Sequence, residues 1–238
     1  MKKVGVLVHG LFLQANGWEE IVWGKPPYKL GSIPKAVEVM LSFGLENIAC
    51  VVFGTGASEK DGLKEAQYTR RDLRNNMRRL EGYPSITGHY EFQSRRGLSL
   101  LSGLIDSAIM EVVATVTVTE IANAAKHFAA HGCDVVIQVP ICGSHSPRCV
   151  QSFLRVKETP GNIPHGQLWM VAPPDSMFAN STIGEVAIVE PPHRADDPML
   201  DAPIKAHQVV PRLFKMAPPA RMEFLVEADN LLREKYGV

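Results

Sequence analysis

The chain has 238 residues, of which 45% are hydrophobic and 21% charged, and this composition is typical of a soluble globular protein. Its formal net charge of +0 argues against a nucleic-acid partner, because binding along a phosphate backbone requires a strong positive balance. No apolar run is long enough to cross a membrane, and the apolar stretch after the two N-terminal lysines is too short for a signal peptide. We therefore expect no membrane partner, a cytoplasmic location and reduced cysteines.

The N-terminal half predicts buried strands that alternate with helices. A continuous apolar run at 4–8 is typical of a strand buried on both faces, a helix follows over 32–44, and 48–53 is a second buried strand. Residues 61–81 predict a polar helix with a basic side. Residues 82–97 lack periodicity and carry Gly and Pro, so we expect a long loop that borders the ligand pocket as a lid.

The C-terminal half continues this alternation. Residues 98–110 predict a helix, 112–119 an extended segment, and 119–131 another helix. A third buried strand is predicted over 134–139, followed by the loop ICGSHSP and a helix from about 147. The stretches LWMVAPP and EVAIVEPP are two further strand candidates, and two helices joined by APPA are predicted in the tail.

Buried strands that alternate with helices predict an α/β fold, a three-layer sandwich around a mostly parallel sheet. We expect a single domain over 1–238, with its core in 1–175 and a helical extension over 202–238. The three buried strands should be neighbours in the sheet. Because ligands of such sheets lie outside the carboxyl ends of the strands, the loops after these strands form the candidate site.

The opening VLVHGLFLQANGW resembles the start of an α/β-hydrolase, in which a strand ends in His-Gly and the next loop contributes to an oxyanion hole. That fold also requires a Gly-x-Ser-x-Gly turn that carries the nucleophile. The nearest match is CGSHSPR, where His145 occupies the serine position. Ser146 lies at the right kind of strand-to-helix junction, so a serine esterase that uses Ser146 remains an alternative.

Four stretches instead resemble the YdcF/SanA/ElyC-like proteins, and together they span about residues 4–155. They are the apolar strand at 4–8 and its loop with the helix GSIPKAVEVMLSFG, the strand and glycine loop VVFGTGAS with Glu65 in the next helix, the helix start TVTEIANAA, and the turn VPICGSHSPRCVQSFL with His145 and Arg148. The resemblance implies a Rossmann-like α/β domain of poorly defined function. It also implies a pocket for an anionic or nucleotide-like small molecule.

The candidate site residues lie in loops and helix starts along one edge of the sheet. We expect His145 and Glu65 to be catalytic. Glu65 is included only through the resemblance, because its spacing alone predicts a helix-surface residue. The third stretch departs from the family pattern, because the family places its Thr and Asn closer together than Thr119 and Asn123. Thr117 is a competing match for the threonine. The expected ligand-binding residues are His9, Gly54, Thr55, Gly56, Ser58, Thr119, Ser144 and Arg148.

The chemistry of these residue types favours an anionic ligand. Backbone N–H groups of the glycine loop at 54–56 can cradle an anion, although a tight turn explains the glycines equally well. Glu59 stands where the dinucleotide fingerprint requires a third glycine, so NAD is not expected. Arg148 can hold a phosphate or carboxylate in a bidentate pair, and His145 titrates near neutrality. The sequence therefore predicts binding of an anionic small molecule, with acid–base or transfer chemistry.

Two other groups of residues have simpler interpretations. Cys142, His145 and Cys149 are too few and too widely spaced for structural zinc, so no metal is expected. Five arginines lie close together in one predicted helix, and the favoured interpretation is a solvent-exposed face on which they pair with Asp72 and Glu81. A basic rim that attracts the ligand and a non-catalytic surface for a partner remain alternatives. These arginines are Arg70, Arg71, Arg74, Arg78 and Arg79.

Overall fold

The computed structural model describes residues 2–176 and 216–236. The chain divides into two compact units, Met1–Gly184 and Glu185–Val238, and each is considered by itself. In the second unit the described residues form one helix, Pro218–Tyr236. Among the described residues, no helix has the length and apolar character needed to cross a membrane.

The first unit is built from strands and helices that alternate along the chain. Its described strands are β1 (Val4–Val8), β2 (Gly24–Lys25), β3 (Lys29–Leu30), β4 (Ile48–Gly54), β5 (Glu59–Lys60), β6 (Leu63–Lys64), β7 (Ile109–Glu111), β8 (Val135–Val139) and β9 (Leu168–Val171). Its described α-helices are α1 (Trp18–Trp23), α2 (Ser32–Phe43), α3 (Glu65–Asn75), α4 (Pro84–Thr87), α5 (Tyr90–Gln93), α6 (Arg95–Asp106), α7 (Thr117–Ala130) and α8 (Ser146–Glu158). Short 3₁₀ turns cover Leu45–Asn47, Met77–Gly82 and Gly143–His145.

A five-stranded parallel sheet forms the centre of the first unit, with the order β7-β4-β1-β8-β9. β1 pairs with both β4 and β8, so the prediction that the three buried runs are parallel neighbours is confirmed. The fold is an α/β Rossmann-like three-layer sandwich, as the sequence predicts. The direction of strand addition reverses between β1 and β8, and this is where such sheets open a crevice at their carboxyl edge.

The two faces of the sheet pack against different helices, because side chains alternate along each strand. Val6 and Val8 of β1 belong to a core shared with α2, whereas Leu7 belongs to a core shared with α7 and α8. Gly5 is required by the second core, since a Cβ there would lie 2.4 Å from the Phe128 ring. Burial on both faces explains why β1 is a continuous apolar run.

The lid predicted over 82–97 is wrong. This segment forms α4, α5 and the start of α6, and Tyr83, Ile86 and Phe92 are buried in the core. The Glu91 carboxylate accepts the backbone N–H of Leu45, with N···O distances of 3.2 and 3.3 Å, close to the amino end of β4. The Gly and Pro residues of the segment mark the ends of short helices, so their presence does not indicate one open loop.

The predicted boundaries between 98 and 131 also require correction. α6 begins at Arg95, the extended segment is only β7, and α7 begins at Thr117. Thr119 is therefore a residue of the first turn of α7, and its hydroxyl donates to the Val116 carbonyl at 2.9 Å. The β-branched residues of this stretch favour a strand by propensity, and the packing of α7 overrides this preference, which is why the composition alone gives the wrong boundary.

Several C-terminal predictions can be placed. LWMVAPP contains β9, and the helix predicted after APPA is present but begins within APPA, as Pro218–Tyr236. The strand predicted in EVAIVEPP and the first tail helix lie outside the described residues.

Candidate functional site

His9 follows β1 at the carboxyl edge of the sheet and is 2% exposed. Its Nδ1 lies 2.9 Å from Oε2 of Glu120 in the first turn of α7, and its Nε2 lies 3.2 Å from Oε1 of Gln138 in β8. Both ring nitrogens therefore face oxygen acceptors. An imidazolium, which donates from both nitrogens, satisfies this arrangement best.

The electrostatic surroundings of His9 favour the same charged form. Burial by itself lowers the pKa of His9, but the negative charges of Cys149 and Glu120, with the hydrogen bond to Glu120, raise it well above its usual value. One oxygen of Glu120, Oε1, is buried and has no hydrogen-bond partner among the described residues. The charged imidazole is thus held deep at the point where the strand order reverses.

His145 lies beside His9, with the two rings perpendicular and their centroids 5.5 Å apart. The backbone N–H of Ile141 donates to His145 Nδ1 at 3.4 Å, and Nδ1 also lies 3.5 Å from the Cys149 sulfur. The other ring nitrogen, Nε2, lies 3.5 Å from Oγ1 of Thr117. Because Thr117 is half-buried, His145 connects the buried cluster with the outer part of this edge.

Cys149 is fully buried in the first turns of α8, four residues after His145. Burial raises the pKa of its thiol, but the positive charges of His9 and His145 and hydrogen bonds to their rings outweigh this effect and lower the pKa to about 6. The N-terminal end of a helix also favours a thiolate. This thiol can therefore lose its proton near neutral pH.

Glu65 is buried at 1% exposure, so the prediction of a helix-surface position from spacing is wrong. It is the first residue of α3, and its Oε1 accepts the Ser58 hydroxyl at 2.7 Å. The Ser58 oxygen in turn accepts the Leu13 N–H at 2.8 Å. A Cβ at Gly10 would lie 2.8 Å from Oε2 of Glu65, so the carboxylate lies against the loop that follows β1.

The glycine loop after β4 packs closely against the segment that follows β7. The Gly56 N–H donates to the Ala114 carbonyl at 2.8 Å, and the Thr55 hydroxyl donates to the same oxygen. A Cβ at Gly54 would lie 1.8 Å from Oε1 of Glu120, and one at Gly56 would lie 1.7 Å from the Val112 carbonyl oxygen. These contacts explain both glycines by close packing, and their part in ligand binding stays a prediction.

The remaining expected residues are placed differently. Thr119 is exposed, and Thr117 is the threonine that approaches His145. Ser144 belongs to the 3₁₀ turn before α8, and Arg148 is half-buried in the first turn of α8. Ser146 is the first residue of α8, and its buried Oγ makes no hydrogen bond to any residue that the structure describes. The serine-esterase alternative stays a prediction.

Sequence analysis missed three side chains of the cluster: Glu120, Gln138 and Cys149. Gln138 is the polar residue within the buried run DVVIQVP, and Cys149 is one helical turn beyond His145 on the same face. Both signals are visible in the sequence. Glu120 has no comparable signal, because its role depends on how α7 packs against β1 and β4.

Three arginines of α3 and the following turn form ion pairs at the surface, but with other partners than expected. Arg74 pairs with Asp106 at 2.8 Å, Arg71 with Asp61 at 3.7 Å, and Arg79 with Glu19 at 2.6 Å. Of the two acids named from the sequence, Asp72 instead accepts the indole N–H of Trp23. This geometry agrees with a solvated, paired face.

No group of three or more His, Cys, Asp or Glu side chains within residues 2–176 and 216–236 is arranged to hold a metal ion. Comparison with known proteins gave no match: no family model, no curated protein and no solved structure matches the chain. The resemblance to the YdcF/SanA/ElyC-like proteins therefore stays a prediction.

Proposed function

We propose that the first unit binds a small anionic molecule at the carboxyl edge of its sheet and that His145 exchanges a proton with it. The observation that carries this proposal is the buried cluster of His9, His145, Cys149 and Glu120 at the reversal point between β1 and β8. Burying several ionisable groups costs free energy unless they pair with each other or with a ligand. Their position coincides with the ligand crevice of Rossmann-like sheets.

The start of α8 supports an anionic ligand. The first N–H groups of a helix have no partners within that helix and carry a partial positive charge, which favours a bound anion. Arg148 adds a guanidinium to the same turn, where the helix alone would disfavour a cation. An anion at this position offsets that unfavourable interaction and can accept a bidentate pair from Arg148.

The proton exchange is assigned to His145 because its Nε2 is directed toward half-buried Thr117, on the outer side of the cluster. His9 is enclosed by Glu120 and Gln138, so its nitrogens are occupied within the protein. Histidine is the side chain type best suited to proton exchange at physiological pH. The four cysteines are free and buried, which supports a reducing compartment such as the cytoplasm.

The test is a pair of arginine variants in the same helix. Arg148→Ala removes the charge from the first turn of α8, and Arg155→Ala removes an equal charge from its exposed last turn. A charge-assisted contact contributes about 1.5–3 kcal/mol, so Arg148→Ala should weaken binding about ten- to a hundredfold. Calorimetric titrations with inorganic phosphate and with adenosine monophosphate measure this change.

Arg155→Ala should leave both affinities within about twofold, because the last turn of α8 lies away from the proposed site. Equal affinities of the Arg148→Ala and Arg155→Ala variants would contradict an anion site at the start of α8. So would an unmodified protein that binds neither inorganic phosphate nor adenosine monophosphate. Arg148→Lys should recover only part of the affinity, since the planar fork is lost.

A further inference from the structure

Cys149 has no assigned role in the proposed function, yet its sulfur lies between the two imidazoles of the site. Sγ is 3.5 Å from His145 Nδ1, and it interacts with His9 strongly enough to raise the pKa of that ring. The side chain is fully buried, and the charged or titratable groups that act on it come from the end of β1, the turn before α8 and, behind His9, Glu120 of α7. A buried thiol in these surroundings is suited to proton transfer.

The hydrogen bonds of His145 define which nitrogen carries its proton. The Ile141 N–H donates to Nδ1, so in this arrangement Nδ1 has no proton and Nε2–H is directed toward Thr117. If Nε2 is to accept a proton from a ligand, the ring must first be in its other neutral form, with the proton on Nδ1. Cys149 Sγ is the titratable atom within reach of Nδ1 that can exchange this proton.

We propose that Cys149 exchanges its proton with His145 Nδ1 and thereby sets which neutral form of His145 faces the ligand. In one direction, a ligand group X–H transfers its proton to Nε2, and X keeps the electron pair of the broken bond. At the same time the Nδ1–H bond breaks and an S–H bond forms, so the thiolate becomes a thiol. The reverse step returns the proton. The imidazole stays neutral before and after, and the negative charge moves between sulfur and ligand.

Cys149 acts through His145, so it is a positioning residue in this scheme. The His9 imidazolium, fixed by Glu120 and Gln138, stabilises the thiolate form. The thiol form corresponds to the hydrogen-bond pattern in which Ile141 donates to Nδ1. Burial raises the pKa of the thiol, but the charge of His9 acts against this effect and lowers the pKa, so both forms are accessible near neutrality, where proton-exchanging groups are most effective. The inference rests on the proposed function only for the existence of the ligand.

The first test measures thiolate formation by its ultraviolet absorbance in the ligand-free protein. Unmodified protein should show a transition with a midpoint at about pH 6, and Cys149→Ser should lack it. Cys133→Ser is the matched control, because burial and the charge of Asp134 raise the pKa of Cys133 to about 11 and its removal should leave the transition unchanged. A transition that persists in Cys149→Ser would overturn the proposal.

The second test follows the ring nitrogens of His145 by ¹⁵N NMR, which distinguishes the two neutral forms. In the unmodified protein, the proton should move from Nε2 to Nδ1 with the same midpoint as thiolate formation. In Cys149→Ser this change should disappear, whereas the ¹⁵N signals of the exposed His131 should be the same in the variant and the unmodified protein at every pH.

Independent midpoints for the thiolate and His145, or an unchanged His145 transition in Cys149→Ser, would contradict the exchange. If Cys149→Ser does not fold, the exchange is still tested by whether the midpoints of thiolate formation and of the His145 transition coincide in the unmodified protein. Neither measurement uses a ligand, so failure of anion binding at Arg148 and failure of this proposal are separate results.

Discussion

At the scale of single residues, Glu120 of α7 connects its own helix with His9 after β1 and with Gly54 at the end of β4. One carboxylate oxygen accepts from His9 Nδ1 at 2.9 Å, and the other lies where a Cβ of residue 54 would be. Only glycine leaves room for this carboxylate at the end of β4. A glycine at position 54 is therefore explained by packing, without a ligand. It allows Glu120 and the His9 imidazolium to pair in the interior.

Gly54→Ala tests this close approach. The new Cβ would lie 1.8 Å from Glu120 Oε1 and 2.5 Å from its Cδ, so the carboxylate has to leave His9 or the strand has to move. Overpacking of this kind costs about 1–3 kcal/mol in the free energy of unfolding, which urea denaturation measures. Gly103→Ala, with nothing within 4 Å of its new Cβ in α6, should instead stabilise the protein by up to about 1 kcal/mol. Equal midpoints for the two variants would refute this account.

The sequence allowed only part of this cluster to be predicted, for a physical reason. His9 follows β1 directly and His145 lies in the short turn between β8 and α8, so the position of a strand end is enough to place both near the carboxyl edge of the sheet. Cys149 is recognisable from its position one helical turn beyond His145, whereas Glu120 is not, because which side chain of α7 points inward depends on packing that the local sequence does not specify. The isolated spacing of Glu65 likewise indicates a surface position, because the loop after β1 that covers it is distant in sequence.

At the scale of elements, strands were easier to predict than helix ends. β1, β4 and β8 are apolar runs because helices cover both faces of the sheet, and that pattern is local. The segment 82–97 was harder, because its two short helices depend on tertiary contacts. Tyr83 donates its hydroxyl to the Trp23 carbonyl, and Glu91 accepts from Leu45, and neither partner is near in sequence.

The start of α6 provides a prediction at this scale. Ser94 is the N-cap residue, and its hydroxyl oxygen accepts the Gly97 N–H at 3.0 Å. Ser94→Ala removes this acceptor and should lower the free energy of unfolding by about 1 kcal/mol, measured by chemical denaturation. Ser85→Ala, at an exposed position within α4, should change it by less than about 0.5 kcal/mol. A Ser94→Ala variant as stable as Ser85→Ala would show that the cap contributes nothing.

At the scale of the whole molecule, the Cys149 thiolate and the His9 imidazolium make the free energy of unfolding depend on pH. The pKa of Cys149 is lowered from 9.0 to about 6, so its contribution is fully present above 9 and is lost as the pH falls through about 6. The pKa of His9 is raised, so its contribution is fully present below 6.5 and is lost as the pH rises through the raised value. Between these limits folding moves a proton from the thiol to the imidazole with little net exchange with solvent.

A double-mutant cycle of Cys149→Ser and His9→Asn should therefore show a pH-dependent coupling. At about pH 7.5 both groups are charged, and the two substitutions should deviate from additivity by about 0.5–3 kcal/mol in the free energy of unfolding. At about pH 5 the thiol is protonated, so the coupling should fall toward zero. The same cycle with Cys133→Ser, whose thiol precedes β8 at the opposite edge of the sheet, should be additive within about 0.5 kcal/mol at both pH values. Coupling between Cys149 and His9 that stays constant from pH 5 to 7.5 would mean that packing joins these residues, because contacts between uncharged groups do not follow the ionisation of the thiol.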